Sequence, residues 1–307
     1  MFGLRPAVIL ALLAVYFFWG GTYLAMRFAV ETMPPLLMAG SRFLTAGAIL
    51  YLWEMQRGTP VPTLRQWRGT ALVGILLLLG GNGGVVWAEQ VAPSGIAAII
   101  VAVVPLWMTL LAWLWQGGDR PTLTVAFGLV LGFAGILLLV KSAGTLPMTA
   151  ALATSYLALV LASVAWAAGS VYSRVAPAPA SAFQGIAMQM LVGGAACSLV
   201  GLASGEWAAL DPAQFSARSL LSFGYLILFG SIIGFSAYIW VLKAADPTLV
   251  STYAYVNPIV AVFLGWALAG ESLDWREGLS AAVILLAVLI ITRANAKRQM
   301  AAATRKT

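Results

Sequence analysis

Histidine is missing from this chain, cysteine occurs once, and charged side chains make up only 9% of its residues. Without histidine the sequence has neither the commonest metal ligand nor the side chain best suited to proton transfer near neutral pH. The single cysteine, Cys197, excludes an internal disulfide and, set in an apolar stretch, reads as a packed helix residue. A water-soluble domain carries about 25% charge because it must cover its surface with something water tolerates; this chain falls far short, and that class is excluded. No glycine-rich, lysine-containing nucleotide loop occurs, so ATP is not the direct drive through this chain. With no histidine and no close carboxylate pair inside an apolar run, the sequence does not read as a membrane-embedded enzyme, and no cofactor or metal is expected.

What fills the chain is apolar: 62% of its 307 residues are hydrophobic, and the mean hydropathy is +0.94. A bilayer span takes about 20 apolar residues. Ten runs qualify: 7–29, 35–53, 69–88, 94–115, 122–141, 151–173, 181–204, 219–241, 247–269 and 274–293. Proline, glycine and charge mark the breaks, as at Met33-Pro34-Pro35, Arg57-Gly58-Thr59-Pro60, Ala92-Pro93, Gly118-Asp119-Arg120-Pro121, Pro177-Ala178-Pro179, Asp211-Pro212 and Asp246-Pro247. The first run, from Ala7 to about Val30, exceeds the apolar core of a cleaved signal peptide and is expected as a retained helix. The longest connections, 54–68 and 205–218, are too short for a soluble catalytic domain.

The net charge of +7 sits mainly in short loops and the tail, a pattern of membrane topology rather than of nucleic-acid binding. With the N-terminus in the cytoplasm, Arg5, Arg57, Arg65, Arg68, Arg120, Arg174, Lys243, Arg293, Lys297, Arg298, Arg305 and Lys306 lie inside. Arg27, Arg42, Lys141, Arg218 and Arg276 lie outside or at outer helix ends, 12 basic residues against 5. Both termini are therefore expected in the cytoplasm, and Glu31, Glu89, Glu206, Asp211, Glu271, Asp274 and Glu277 fall on the outer side.

The chain also repeats. Trp19 precedes Arg27 by eight residues, as Trp166 precedes Arg174, and Pro105 precedes Trp113 by eight, as Pro258 precedes Trp266. Pro93 and Pro247 open the fourth and ninth runs, and the common offsets of 147–154 indicate duplication. The expected division is a first five-helix repeat over 1–145, a second over 146–295, and a basic cytoplasmic tail over 296–307. Five is odd, so the second repeat enters from the opposite face. This gives an all-α integral membrane protein of ten transmembrane helices in two inverted repeats, an architecture that places a substrate site near the midplane. Glu89, ending the third helix, has Lys243 as its counterpart, a change of sign that suits the inversion.

These segments resemble the paired EamA domains of the drug/metabolite transporter superfamily. Phe18-Trp19-Gly20-Gly21-Thr22 looks like the family's opening motif, and Ser41-Arg42-Phe43 carries its arginine. Pro93-Ser94-Gly95-Ile96-Ala97-Ala98 through Pro105-Leu106-Trp107 is similar to its fourth helix. Ser251-Thr252-Tyr253-Ala254-Tyr255-Val256-Asn257-Pro258 is similar to the ninth, which Gly270-Glu271 closes. The first half departs from the pattern, with Gly117-Gly118-Asp119 where the family often has Gly-Glu. The resemblance implies a ten-helix permease of the bacterial inner membrane, in the branch that exports amino acids and other metabolites.

Polar groups at membrane depth are expensive and usually face a cavity or one another. Arg42 lies about seven residues, roughly 10 Å, into the second helix. It either attracts a substrate carboxylate or forms a salt bridge with Glu31 or Glu89. Asn82, inside Gly80-Gly81-Asn82-Gly83-Gly84, marks either a close approach to a ligand or small-residue helix packing. Trp19, Tyr23, Trp107, Trp166, Tyr172, Tyr238, Trp240, Tyr253 and Tyr255 are candidates for an aromatic cavity wall. Trp53, Trp67, Trp87, Trp115, Trp207 and Trp275, near helix ends, read as interface anchors. Ser251 with Tyr255, and Tyr253 with Asn257, share helix faces by spacing; Ser170 and Gln189 are further cavity candidates. Pro105 and Pro258 remove backbone hydrogen bonds and should kink their helices. Glu89 and Glu271 either take up protons for coupling, if burial raises their pKa, or are solvated loop carboxylates.

Together these features point to a secondary transporter that exports small metabolites, amino acids with aromatic or apolar side chains foremost, by alternating access. A multidrug or toxic-compound exporter of the same fold is the nearest alternative, and a passive channel the alternative of another class. The expected partners are the small-molecule substrate and the lipid bilayer, with no nucleic acid and no obligatory protein partner.

Overall fold

A computed structural model describes residues 6–116, 120–142, 149–244, 253–272 and 274–304. The described residues form ten apolar helical spans. These are α1 (Pro6–Ala29), α2 (Pro35–Gln56), α3 (Leu64–Ala88), α4 (Ser94–Val101 and Val104–Gln116) and α5 (Leu123–Ser142) in the first half. In the second they are α6 (Ala150–Tyr172), α7 (Ala182–Ala203), α8 (Ala217–Tyr225 through Gly234–Ala244), α9 (Tyr253–Ala269) and α10 (Trp275–Thr304). Eight of the ten are long and apolar enough to cross a membrane, and two shorter apolar stretches, Leu123–Leu139 and Tyr253–Ala269, complete the set.

Local chemistry sets the starts. Thr63 and Gln66 form a reciprocal capping box at α3, and Thr149, Ser181 and Ser216 accept hydrogen bonds from the first turns of α6, α7 and α8. Pro35 occupies the first turn of α2, where the missing N–H costs nothing. The kink expected at Pro105 is a break: α4 stops at Val101 and resumes at Val104. Pro258 lies within α9. Two features were not foreseen. Residues Ile75–Gly83 of α3 and Leu226–Ile233 of α8 are π-helical, at matching places in the two halves, and such widened turns gather at functional sites.

The packing obeys a twofold exchange of the halves. α2 crosses α7, α5 crosses α10, and α4 meets α9, each helix paired with its own counterpart. α1 lies against α8 and α9, and correspondingly α6 lies against α3 and α4. Two repeats of five helices in inverted orientation produce this pairing. At the α2–α7 crossing the approach depends on glycine: a Cβ on Gly194 would lie 2.8 Å from the Leu44 nitrogen and 2.9 Å from the Gly40 oxygen. Small residues are what lets helices associate where lipid offers no hydrophobic drive.

One end of the bundle, where α1, α3, α7 and α9 finish, is drawn shut by polar contacts between halves. The Glu206 carboxylate accepts from the Leu36 and Leu37 N–H groups at the start of α2, at 3.0 and 2.9 Å. Glu271 accepts from Ser94 N, Ser94 Oγ and Gly95 N at the start of α4, at 2.8, 2.9 and 3.0 Å. Gly270 has φ +66°, the left-handed turn that swings Glu271 back to that position. Arg218 pairs with Glu31 at 3.1 Å, so Glu31 is not the partner expected for Arg42.

Candidate functional site

A cavity of about 140 Å³ lies between the halves, walled by α1, α2, α3, α4, α6, α8 and α9. The motif residues of α1 divide their work by face. Trp19 and Thr22 reach the cavity, while Gly20 and Gly21 leave room for Val260 of α9 and the Tyr225 hydroxyl of α8. The two repeat-related tryptophans oppose one another across the molecule. Trp19 donates from Nε1 to the Gly230 oxygen of α8 at 3.2 Å. Trp166 lies so close to α3 that a Cβ on Gly81 would come 2.8 Å from its ring. Each thus packs against the π-helical segment of the other half.

The prolines are paired in the same way. Pro105 and Pro258 both line the cavity, as do Val101 and Ala254, the residues four positions before them. Proline supplies no N–H to those carbonyls, so in both repeats a helix turn beside the cavity lacks one backbone hydrogen bond.

Arg42 breaks the symmetry. It is 2% exposed, and its Nε donates to Ser231 Oγ at 2.9 Å, its Nη1 to Asn82 Oδ1 at 3.5 Å. Its guanidinium also lies 4.6 Å from the Phe43 ring centroid. Among the described residues no carboxylate comes within salt-bridge distance of it, neither Glu31 nor Glu89. Asn82, on the π-helical stretch, is both a cavity residue and an Arg42 partner. At the corresponding offset of 147 the second half has Gln189, so the charge has no mirror image.

The structure therefore brings Trp19, Tyr23, Arg42, Asn82, Trp166, Tyr253, Asn257, Pro105 and Pro258 together on one cavity. With its amide turned to donate, Asn257 also reaches the main-chain oxygens of Tyr253 and Tyr16 at 3.3 Å. Seven other expected residues are placed elsewhere, among them Tyr172, stacked on Trp115 at 6.0 Å, and Trp240, which is exposed. Trp107 donates to Ser163 Oγ at 2.9 Å and packs edge-on against Phe133. Ser170 Oγ donates back to the Trp166 oxygen, the Tyr255 hydroxyl to the Val288 oxygen of α10. Gln189 abuts Gly74 through its backbone in the α3–α7 contact, and Tyr238 stands behind the wall, tilted against Trp19 at 5.0 Å and edge-on to Tyr253 at 5.7 Å. Ser251 and the Gly117-Gly118-Asp119 departure lie outside the described residues.

Residues not singled out by sequence complete the wall, among them Met26, Met108, Gly230 and Phe235. For Gly230 the repeat supplies a signal, since it falls 149 positions after Gly81. Of the two glutamates considered for coupling, Glu271 is committed to its cap, and Glu89 is 0% exposed, not a solvated loop carboxylate.

Comparison with known proteins decides the family. A family model described as the EamA-like transporter family matches residues 6–141 and again 153–293. The chain belongs to the EamA-like transporter family. It is 42% identical over 286 residues to the inner membrane transporter YedA of Escherichia coli K12, covering 92% of this chain and 89% of YedA. It is 26% identical to the Bacillus subtilis transporter YvbV, with 97% and 95% covered, and 26% identical to PecM of Dickeya dadantii, with 89% and 88% covered. A crystal structure matches with a TM-score of 0.65 at 22% identity, over 94% of this chain and 99% of that one, and shows a shared fold.

Proposed function

We propose that this EamA-like membrane protein is a secondary transporter of the bacterial inner membrane that exports small carboxylate-bearing metabolites, with aromatic and apolar amino acids foremost. Arg42 carries the reading. A guanidinium remains charged at any physiological pH, and taking a charge out of water costs several kcal/mol unless it is paired. Here its hydrogen bonds go to a serine hydroxyl and, at longer range, to an asparagine. Five N–H donors in a planar fork match a carboxylate bidentately, and a bound carboxylate supplies the missing counter-charge.

Trp19, Trp166, Phe235 and Tyr253 surround that position with aromatic surface, which suits an apolar or aromatic side chain. The carbonyls freed by Pro105 and Pro258 suit an ammonium group. The twofold arrangement of five-helix units about the cavity supports alternating access, in which the halves rock to expose it to one face at a time. The distribution of basic residues supports cytoplasmic termini, with the Glu206 and Glu271 end outermost.

Reconstituted protein should take up labelled phenylalanine or leucine into liposomes with saturation and counterflow, while phenethylamine, which lacks the carboxylate, is carried poorly. Arg42→Ala should abolish the preference for the acid, and Arg42→Lys should restore part of it. Equal transport of acid and amine by the wild type would remove Arg42 from substrate recognition, and flux without saturation or counterflow would make the protein a channel.

A further inference from the structure

The acidic residues near the closed end are spent on visible partners, with one exception. Glu31 is paired with Arg218, Glu206 caps α2, Glu271 caps α4, and Glu277 accepts from the Asp274 N–H at 3.0 Å. Glu89 is fully buried, and among the described residues neither of its carboxyl oxygens has a hydrogen-bond partner.

Its position is specific. Glu89 follows the last residue of α3 and lies one turn beyond Val85, which lines the cavity, so the two share a helix face. From α1, Tyr23 and Met26 line the cavity too, and Arg27 donates to the main-chain oxygen of Glu89. Glu89 thus stands between the cavity and the closed end, behind the Glu271 clamp.

The charged and titratable groups that act on it are Arg27 and Tyr23 of α1, Arg42 of α2 and Glu271 at the end of α9. Arg27 directs a nitrogen to the backbone rather than the carboxylate, Arg42 is bonded to Ser231 and Asn82, and Glu271 adds negative charge. An ionised carboxylate without donors in such a place is far more costly than the neutral acid. Burial first, and then the charge of Glu271, push this carboxyl well above the usual carboxylate range, against the pull of Arg27 and Arg42.

We infer that Glu89 is a proton-binding site whose occupancy is tied to the face on which the cavity is open. The closed end holds the neutral acid; opening that end admits water, the O–H bond breaks, and the proton passes to water on that face. Closing the end, with the cavity then open to the other face, lets the carboxylate take a proton up again from water on that other face. The coupling part rests on the transporter reading above; the proton site itself does not.

The test has two arms, both on the full chain in lipid. Infrared spectra at neutral pH should show a protonated-carboxyl band that Glu89→Gln removes and Glu31→Gln, at an exposed ion pair, leaves in place. No band in the wild type, or a band that survives Glu89→Gln, overturns the site. In liposomes loaded with labelled amino acid, a pH gradient should change wild-type flux, Glu89→Gln should lose that response, and Glu89→Asp should recover it. An equal response in wild type and Glu89→Gln overturns the coupling. Liposomes that move none of the amino acids, with the infrared band present and lost in Glu89→Gln, overturn the transport reading and support the proton site.

Discussion

At the scale of single residues, the two groups that define this protein are a buried cation and a buried acid that do not neutralise one another. Arg42 and Glu89 are both inside the molecule, yet they form no ion pair. The acid has a consequence for stability. Its native pKa is raised by burial, whereas in the unfolded chain it is about 4.3. Between those values the folded protein holds a proton that the unfolded one has released. Stability from this group is therefore greatest below the unfolded pKa and is lost as pH rises toward the native one. Thermal unfolding of the purified protein should show a midpoint that declines from mildly acid to alkaline pH, with a flatter profile in Glu89→Gln. Parallel profiles would mean that Glu89 is ionised or hydrated in the folded state. The sequence showed that Glu89 ends a helix but left solvation and burial open, because burial there depends on α1 and on the Glu271 clamp, which lie 62 and 182 positions away.

At the scale of elements, hydropathy located the spans because a bilayer imposes length and composition on each helix separately. Runs expected at 35–53 and 94–115 correspond to α2 and α4, and the break in α4 was legible in Pro105. Facing was less legible. Tyr253 and Asn257 reach the cavity while Tyr255, two residues from each, turns to α10; spacing says which residues share a face but not which neighbour it meets. Trp107 shows the same limit, its depth being right and its direction set by Ser163 and Phe133. The π-helical segments were not foreseen, since a widened turn leaves the apolar composition unchanged. The glycines are a firmer guide to packing. Gly194→Val forces a side chain into the backbones of Leu44 and Gly40, a kind of overpacking that costs about 1–3 kcal/mol. A lower unfolding temperature in detergent should result, whereas Gly224→Val, where no described residue lies within 4 Å of the new Cβ, should change it little. Equal loss in both would place the cost in the helix backbone rather than in the α2–α7 crossing.

At the scale of the whole molecule, the alternating access proposed above would use the repeat, because exchanging the halves exchanges the ends of the bundle. The sequence does not repeat perfectly, and the differences bias one end. Glu206 and Glu271, both from the second half, hold the starts of α2 and α4 from the first. Hydrogen bonds to a charged group contribute about 1.5–3 kcal/mol each, and a carboxylate at a helix N-terminus gains from the helix dipole. Glu271→Gln keeps the shape but removes the charge, so the closed end should lose at least about 1.4 kcal/mol, a tenfold shift in population. The chain offers its own reporter background: Cys197, its single cysteine, is buried. A cysteine in place of Ala92, fully buried at the closed end, should react slowly with a membrane-impermeant maleimide in liposomes. Combined with Glu271→Gln it should react about tenfold faster, while a second clamp variant, Glu206→Gln, should accelerate it further. If the labelling rate is indifferent to both glutamates, the end is held by helix packing alone, and the carboxylates serve only as caps.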